Sequence, residues 1–222
     1  MTRRQPSLDV SSHLLDTQHF SPDRPLNWPE IFGSDRPVEL EVGSGKGLFL
    51  ASASVQRPEH NFLGIEISRK YARLAAERAI KRGAGNVRLW PGDARPVLSR
   101  MVPPASLRAV HVYFPDPWWK KRHKKRRVFT AELVAAVARA LEPSGTLRVA
   151  TDVEEYFDVM RSLVAAEPLL AELPPPAVKE PEHDLDYLTN FERKFRLEGR
   201  AIYRVAYQKC PGQVDQVAAS GS

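Results

Sequence analysis

The 222-residue sequence predicts an α/β fold: a mostly parallel, twisted sheet with helices on both faces and an antiparallel last strand. Two observations carry this. Five short β-branched or apolar runs alternate with five helix-compatible segments, the pattern that places parallel strands between crossover helices. The composition, 42% hydrophobic and 27% charged, is that of an ordinary globular domain with a true core.

The elements follow in order. Residues 1–36 are rich in Pro and polar residues without a sustained period, and read as an arm and lead-in. Leu26, Trp28, Ile31 and Phe32 are its candidates for docking on the core. A turn at Asp35-Arg36-Pro37 opens the main domain, residues 37–209. VELEVG (38–43) is the first strand, followed by the glycine loop 43–47 and an apolar helix over 48–56. FLGIEI (62–67) is the second strand. Ser68 is a suitable N-cap for a helix over 69–82, whose Ala72, Ala75, Ala76 and Ala79 suit close packing on a sheet. Residues 86–90 form the third strand. A short helix carrying Val97 and Leu98 then ends at Pro103-Pro104. The fourth strand spans 109–114, a helix 130–141, and the fifth strand 146–150 after the turn Pro143-Ser144-Gly145. A helix over 153–166, a short strand over 169–173, a helix within 191–199 and a last strand over 201–208 complete the domain. Residues 210–222 read as a disordered tail.

One cysteine, Cys210, excludes an internal disulfide and a Cys-based metal site, and it argues against thiol catalysis. No metal is expected. No apolar run approaches the ~20 residues of a membrane span, and no signal-peptide pattern opens the chain. A soluble cytoplasmic protein without an obligate protein partner is the expectation.

In sheets of this kind ligands bind at the carboxyl ends of the strands. Each of the five strands delivers an acid there: Glu41, Glu66, Asp93, Asp116 and Asp152. The loop Gly43-Ser44-Gly45-Lys46-Gly47 fails the dinucleotide fingerprint at its third glycine, because Leu48 stands there. It fails the phosphate-loop pattern too, because Gly47 follows Lys46. Acids beside a glycine loop suit S-adenosylmethionine, which offers a ribose diol, an adenine amine, an ammonium and a sulfonium rather than a pyrophosphate. Glu66 can accept the ribose hydroxyls, Asp93 the adenine amine, and Glu41 the ammonium side directly or through water. Gly43, Gly45 and Gly47 let the backbone approach such a ligand.

Residues 110–127, VHVYFPDPWWKKRHKKRR, join the fourth strand to Asp116 and then to seven Lys or Arg in eight positions. That run exceeds the formal net charge of +6, so the remainder sums to about −1. A basic run abutting Pro-Asp-Pro-Trp without a spacer reads as a clamp for RNA or DNA phosphates. Trp118 or Trp119 either stacks on a base or packs in the core.

LEVGSGKG (40–47), FLGIEI (62–67), GDA (92–94), FPDPWWKKRHKKRR (114–127), ATD (150–152) and TNFERKF (189–195) together resemble the bacterial tRNA (guanine-N7)-methyltransferase family. The fourth and sixth of these motifs are the most specific. Residues 1–36 are the least family-like. The resemblance implies a Rossmann-like class I methyltransferase fold, S-adenosylmethionine as donor, and methylation of a guanine in the tRNA variable loop. It implies that Glu41, Glu66, Asp93 and Asp116 are cofactor-site acids and that Asp116 is also catalytic. Lys120, Asp152, Thr189, Asn190, Phe191 and Glu192 would contact the substrate; Arg122, His123, Lys124, Lys125, Arg126 and Arg127 would contact RNA. Thr189 and Glu192 also have capping-box spacing, which gives that pair a second, structural reading.

Three rivals follow from the same residues. A methyltransferase of an exocyclic base amine would carry a second Pro after Asp116-Pro117, and Trp118 stands there. A catalytically silent RNA-binding module would be expected to have lost Glu66 or Asp93, and both are present. Pyrimidine C5 methylation would need a cysteine near the fourth strand.

Overall fold

The computed structural model describes residues 8–118, 127–175 and 189–211. Seven strands form one sheet in the order β3-β2-β1-β4-β5-β7-β6. They are β1 (Val38–Val42), β2 (Asn61–Glu66), β3 (Val87–Pro91), β4 (Leu107–Tyr113), β5 (Leu141–Thr151), β6 (Leu170–Glu172) and β7 (Tyr203–Lys209). The pairs β1–β2, β2–β3, β1–β4 and β4–β5 are parallel, whereas β5–β7 and β6–β7 are antiparallel. Strand order reverses between β1 and β4, so the ligand-binding crevice of such a sheet opens above those two strands.

Side chains alternate across β1. Val38, Leu40 and Val42 enter the larger core, beneath α1 (Trp28–Phe32), α5 (Ala131–Ala140) and α6 (Glu154–Ala165). The opposite sheet face packs on α2 (Leu48–Gln56) and α3 (Arg69–Lys81) through Phe49, Leu50, Phe62, Ala75, Ala76 and Ala79. Ser68 caps α3 by accepting from the Tyr71 N–H, and Gly83, in left-handed geometry at φ 66°, closes it. The alanines allow near-contact: a Cβ on Gly47 would lie 2.6 Å from that of Ala75, so the start of α2 can sit against α3 only with glycine there.

Two elements differ from expectation. β5 begins at Leu141 rather than after the Pro-Ser-Gly turn, because Leu141 pairs with Leu107 before the register shifts to Ala109–Thr146. Residues 142–145 are absorbed as an irregularity. Gly145 is confined there by the carbonyls of Glu142, Leu107 and Arg108, all within 3.2 Å of a hypothetical Cβ. The helix expected around Val97 is one turn, α4 (Ala94–Pro96), that widens into a π turn, Val97–Met101, closed by Val102 N–H to Val97 O at 2.9 Å.

The arm docks as its apolar residues suggest, with Leu26, Ile31 and Phe32 buried and Trp28 packed beside them. Farther back it reaches the edge of β3: Leu89 N–H donates to His13 O at 2.7 Å and Leu15 N–H to Leu89 O at 2.9 Å. The last helix, α7 (Asn190–Leu197), precedes β7.

Candidate active site

The glycine loop leaves β1 in left-handed backbone geometry, with φ 75° at Gly43, 53° at Gly45 and 69° at Gly47. Glu66, the last residue of β2, holds it in place. One carboxylate oxygen accepts from the Gly45 N–H and the other from the Ser68 N–H, both at 2.8 Å. Each oxygen keeps a further lone pair. A Cβ on Gly43 or Gly45 would meet no protein atom within 4 Å. The loop therefore borders open space, which is where a ligand can approach the backbone.

Glu41 is the unusual member. Its side chain is buried, and its Oε2 has no hydrogen-bond partner among the described residues. Burial, and then the neighbouring Glu66 carboxylate, push the Glu41 carboxyl well above the usual carboxylate range. Such an orphaned acceptor costs roughly 1–3 kcal/mol until something donates to it. A cationic or N–H-bearing ligand group does so directly. This set of acceptors thus fits a ligand with hydroxyl and ammonium groups, not a pyrophosphate.

Asp93 caps α4, accepting from the Arg95 N–H at 2.9 Å, and is also clasped by the Arg95 guanidinium. The Arg95 hydrogen bonds hold its carboxyl below the ordinary value, against partial burial. The Gly92 N–H donates to Glu66 O at 2.9 Å, so the β2 and β3 ends are tied together.

On the other side of the crevice, Phe114 N–H donates to Ala150 O at 2.7 Å, joining the ends of β4 and β5. Phe114 and Trp118 both have positive φ, 51° and 44°, and bracket Pro115-Asp116-Pro117. Non-glycine residues rarely adopt that geometry, and it clusters at functional sites. It leaves Asp116 exposed at the strand end. Arg127 Nε donates to Pro117 O at 2.7 Å, so the last residue of the basic run folds back on the Pro-Asp-Pro segment. Tyr156 lies against both: burial pushes its hydroxyl up to about 12, opposed by Arg127 and reinforced by Asp116.

Asp152, just beyond β5, forms an ion pair with Arg200. Thr189 Oγ1 accepts from the Glu192 N–H at 3.0 Å, so the capping half of the Thr189–Glu192 spacing is present. Glu192 is buried and engaged by Arg196 at 3.0 Å and by Arg204. Trp118 is half-buried. Trp119, Lys120, Arg122, His123, Lys124, Lys125 and Arg126 lie outside the described residues, as do the side chains of Asn190 and Phe191.

A buried network behind Glu41 escapes a motif-based reading. Glu39 accepts from Arg57 at 2.9 and 3.0 Å, and its carboxylate is 2.6 Å from His60 Nδ1 and 2.7 Å from His111 Nε2. His111 Nδ1 in turn lies 2.8 Å from the Tyr113 hydroxyl. The signal was the Glu-x-Glu pattern of β1, which puts both acids on one buried face and demands cationic partners for the first. A second feature is a groove of about 460 Å³ along α3, lined by Lys46, Arg78, Lys81 and Arg82 with Glu77. Positive charge is therefore not confined to the run at 120–127. Among the described residues no cluster of His, Cys, Asp and Glu could hold a metal ion, and no helix is long and apolar enough to cross a membrane.

Comparison with known proteins bears on this geometry. A family model described as "Putative methyltransferase" matches residues 35–205. A tRNA (guanine-N(7)-)-methyltransferase of Rhodopirellula baltica is 44% identical over 215 residues, covering 94% of this chain and 79% of the relative. Proteins of the same name from Hydrogenovibrio crunogenus and Ralstonia nicotianae are 34% and 38% identical, covering 84% and 83% of this chain and 78% and 73% of those relatives. The chain belongs to the tRNA (guanine-N7)-methyltransferase family. It is a methyltransferase by that membership, and the solved structures agree on the fold. An antibiotic-related methyltransferase superposes with a TM-score of 0.59 at 16% identity, covering 90% of this chain and 98% of that one. TrmN from Thermus thermophilus gives 0.54 at 17% identity, covering 82% and 47%. As expected from the family's class I fold, the sheet is mostly parallel, with the antiparallel strand β7 inserted between β5 and β6.

Proposed function

We propose that this protein transfers a methyl group from S-adenosylmethionine to N7 of a guanine in the variable loop of tRNA. What supports the reading is that β1, β2, β4 and β5 end at one edge of the sheet, where strand order reverses between β1 and β4, with two unlike walls. The β1–β2 wall offers the glycine loop with Glu41 and Glu66. The β4–β5 wall offers Asp116 and Asp152, with Arg127 folded back on the carbonyl of Pro117. S-adenosylmethionine supplies an electrophilic methyl group on a sulfonium. Glu66 accepts ribose hydroxyls, Asp93 the adenine amine, and Glu41 the ammonium, the group that satisfies its orphaned oxygen. Gly43 and Gly45 keep the backbone clear of Cβ atoms along that approach, whereas Gly47 is needed for the close packing of α2 on α3.

N7 of guanine has an in-plane lone pair and no proton, so the chain need not supply a strong base. Alignment and electrostatic support suffice. Asp116, exposed at the end of β4, faces a purine that turns cationic as the new C–N bond forms. Its carboxylate favours that charged state over the neutral ground state. A flipped base is read through hydrogen bonds to its Watson–Crick edge and by stacking. Asp152, with Thr189 to Glu192, accepts the guanine N1–H and amino donors. Lys120 and the residues 122–127 engage phosphates. Soluble, cytoplasmic operation on tRNA without a metal accords with this chemistry.

The test is methyl transfer from labelled S-adenosylmethionine to tRNA, followed by chain cleavage at 7-methylguanosine. Cleavage at one variable-loop guanine is expected. Label on an exocyclic amine, or tRNA binding without transfer, would replace the reading by one of its rivals.

A further inference from the structure

Asp152 presents a problem for any base that is to be read there. Its side chain is only 9% exposed, and its carboxylate is taken by Arg200. The guanidinium of Arg200 also lies over the ring of Phe195, with Cζ 4.1 Å from the ring centroid. Phe195 is buried and packs on Phe114 at 5.6 Å between centroids, two residues before Asp116. A planar, N–H-bearing group, stacked on an aromatic ring and donating to a carboxylate, therefore already sits beside the reactive strand end.

That arrangement matches the chemistry of a bound guanine. The Watson–Crick edge of guanine presents N1–H and an amino N–H side by side, a coplanar pair like the donor fork of arginine. Guanine bases are also held by stacking on aromatic rings. We infer that Arg200 is a placeholder for the substrate base: its guanidinium occupies the donor-and-stacking position between Asp152 and Phe195, and an entering guanine displaces it to take the same two partners. This rests on the proposed reading of Asp152 and adds two residues to it. Phe195 becomes the platform on which the base stacks, and Arg200 the group that must leave.

The local backbone explains how the guanidinium comes to be there. Gly199, at φ 69°, ends α7; its N–H donates to Arg196 O at 3.0 Å, and the Arg200 N–H donates to Phe195 O at 2.9 Å. This is a Schellman termination, which brings the residue after the glycine back over the one five positions earlier. Helix termination alone accounts for the stack on Phe195. It does not account for the pairing with Asp152, which also needs β7 to return beside β5, where Tyr203 is paired with Thr151. Arg200 is 42% exposed, and Glu198 lies 3.9 Å from its other guanidinium nitrogen. A second acceptor therefore stands ready for the displaced side chain. Departure also removes a fixed cation from beside a purine that is becoming cationic.

A placeholder reduces the apparent affinity of the true ligand to the fraction of sites it leaves free. Arg200→Ala is therefore expected to lower KM for tRNA by about 1.5-fold to fivefold, the range of a partly exposed ion pair. Added methylguanidine, at millimolar concentration, should refill the vacated position in Arg200→Ala and return KM toward the wild-type value, while leaving the wild type unaffected. Phe195→Leu should raise KM, with cofactor affinity by calorimetry and the melting temperature serving to show that the fold persists. An unchanged or raised KM in Arg200→Ala, or equal responses of both proteins to methylguanidine, would overturn the inference. Wild-type transfer to the variable-loop guanine is measured first. Its absence would remove the proposed function itself, whereas its presence with a raised KM in Arg200→Ala removes only the placeholder.

Discussion

At the scale of single residues, two carboxyls near the crevice have opposite relations to the fold. Glu41 is buried without a hydrogen-bond partner for Oε2, and its carboxyl is held well above its ordinary value of 4.5. The folded state thus binds that proton more tightly than the unfolded chain, so stability falls as pH rises above 4.5. Glu41→Gln removes the effect: the melting temperature of the cofactor-free protein should rise by a few degrees at pH 8 and not at pH 4. Cofactor affinity should drop at least tenfold. A variant that melts lower at pH 8 would contradict the orphaned state of this acid. Asp116 carries a different expectation. Asp116→Asn keeps the shape but loses the charge opposite the methylated purine, and turnover should fall by roughly 10²–10³ with cofactor binding still measurable. Near-normal turnover would remove Asp116 from the chemistry. The sequence made these acids legible because a parallel sheet delivers every strand end to one edge. It did not reveal that Arg200 meets Asp152, since that contact needs both the turn at Gly199 and the return of β7 beside β5.

At the scale of elements, the strands and helices were readable from apolar runs, caps and glycines. Ser68 and Thr189 do cap α3 and α7, and the alanine spacing of α3 does face the sheet. What local pattern missed is long-range. The pairing of Leu141 with Leu107 extends β5 backward across a Pro-Ser-Gly turn, and only the neighbouring strand makes this favourable. The Glu39 network is of the same kind, since it links β1 to the end of α2 through Arg57, to His60 before β2, and to His111 on β4. Burial opposes ionisation of Glu39, but the His111 hydrogen bond and charge, Arg57 and His60 outweigh it and hold the carboxyl at about 2. A depressed folded value means that the stabilisation is fully present above 4.5 and is lost as pH falls toward 2. Glu39→Ala should cost about 3 kcal/mol near neutrality, because it leaves Arg57, His60 and the buried His111 without their shared acceptor. The gap between wild type and variant, read by denaturant unfolding, should close between pH 4.5 and 2. A gap independent of pH would mean that Glu39 contributes by packing alone.

At the scale of the whole molecule, charge is unevenly divided. The run at 120–127 holds seven of the 33 Lys and Arg, and the groove on α3 gathers four more from Lys46 to Arg82. Each phosphate neutralised by RNA binding releases counterions, so Lys124→Ala with Lys125→Ala should flatten the slope of log affinity against log salt by roughly 1.5–2. An unaltered slope would place the RNA elsewhere. The arm has a bearing on solubility as well. By lying against Leu89 through residues 13 and 15, it shields the outer rim of β3. A bare strand rim is a template for recruiting a foreign chain. Removing residues 1–16 should therefore give a protein that scatters more light as its concentration increases. If the shortened chain stays monodisperse, the arm is not what keeps neighbouring molecules apart.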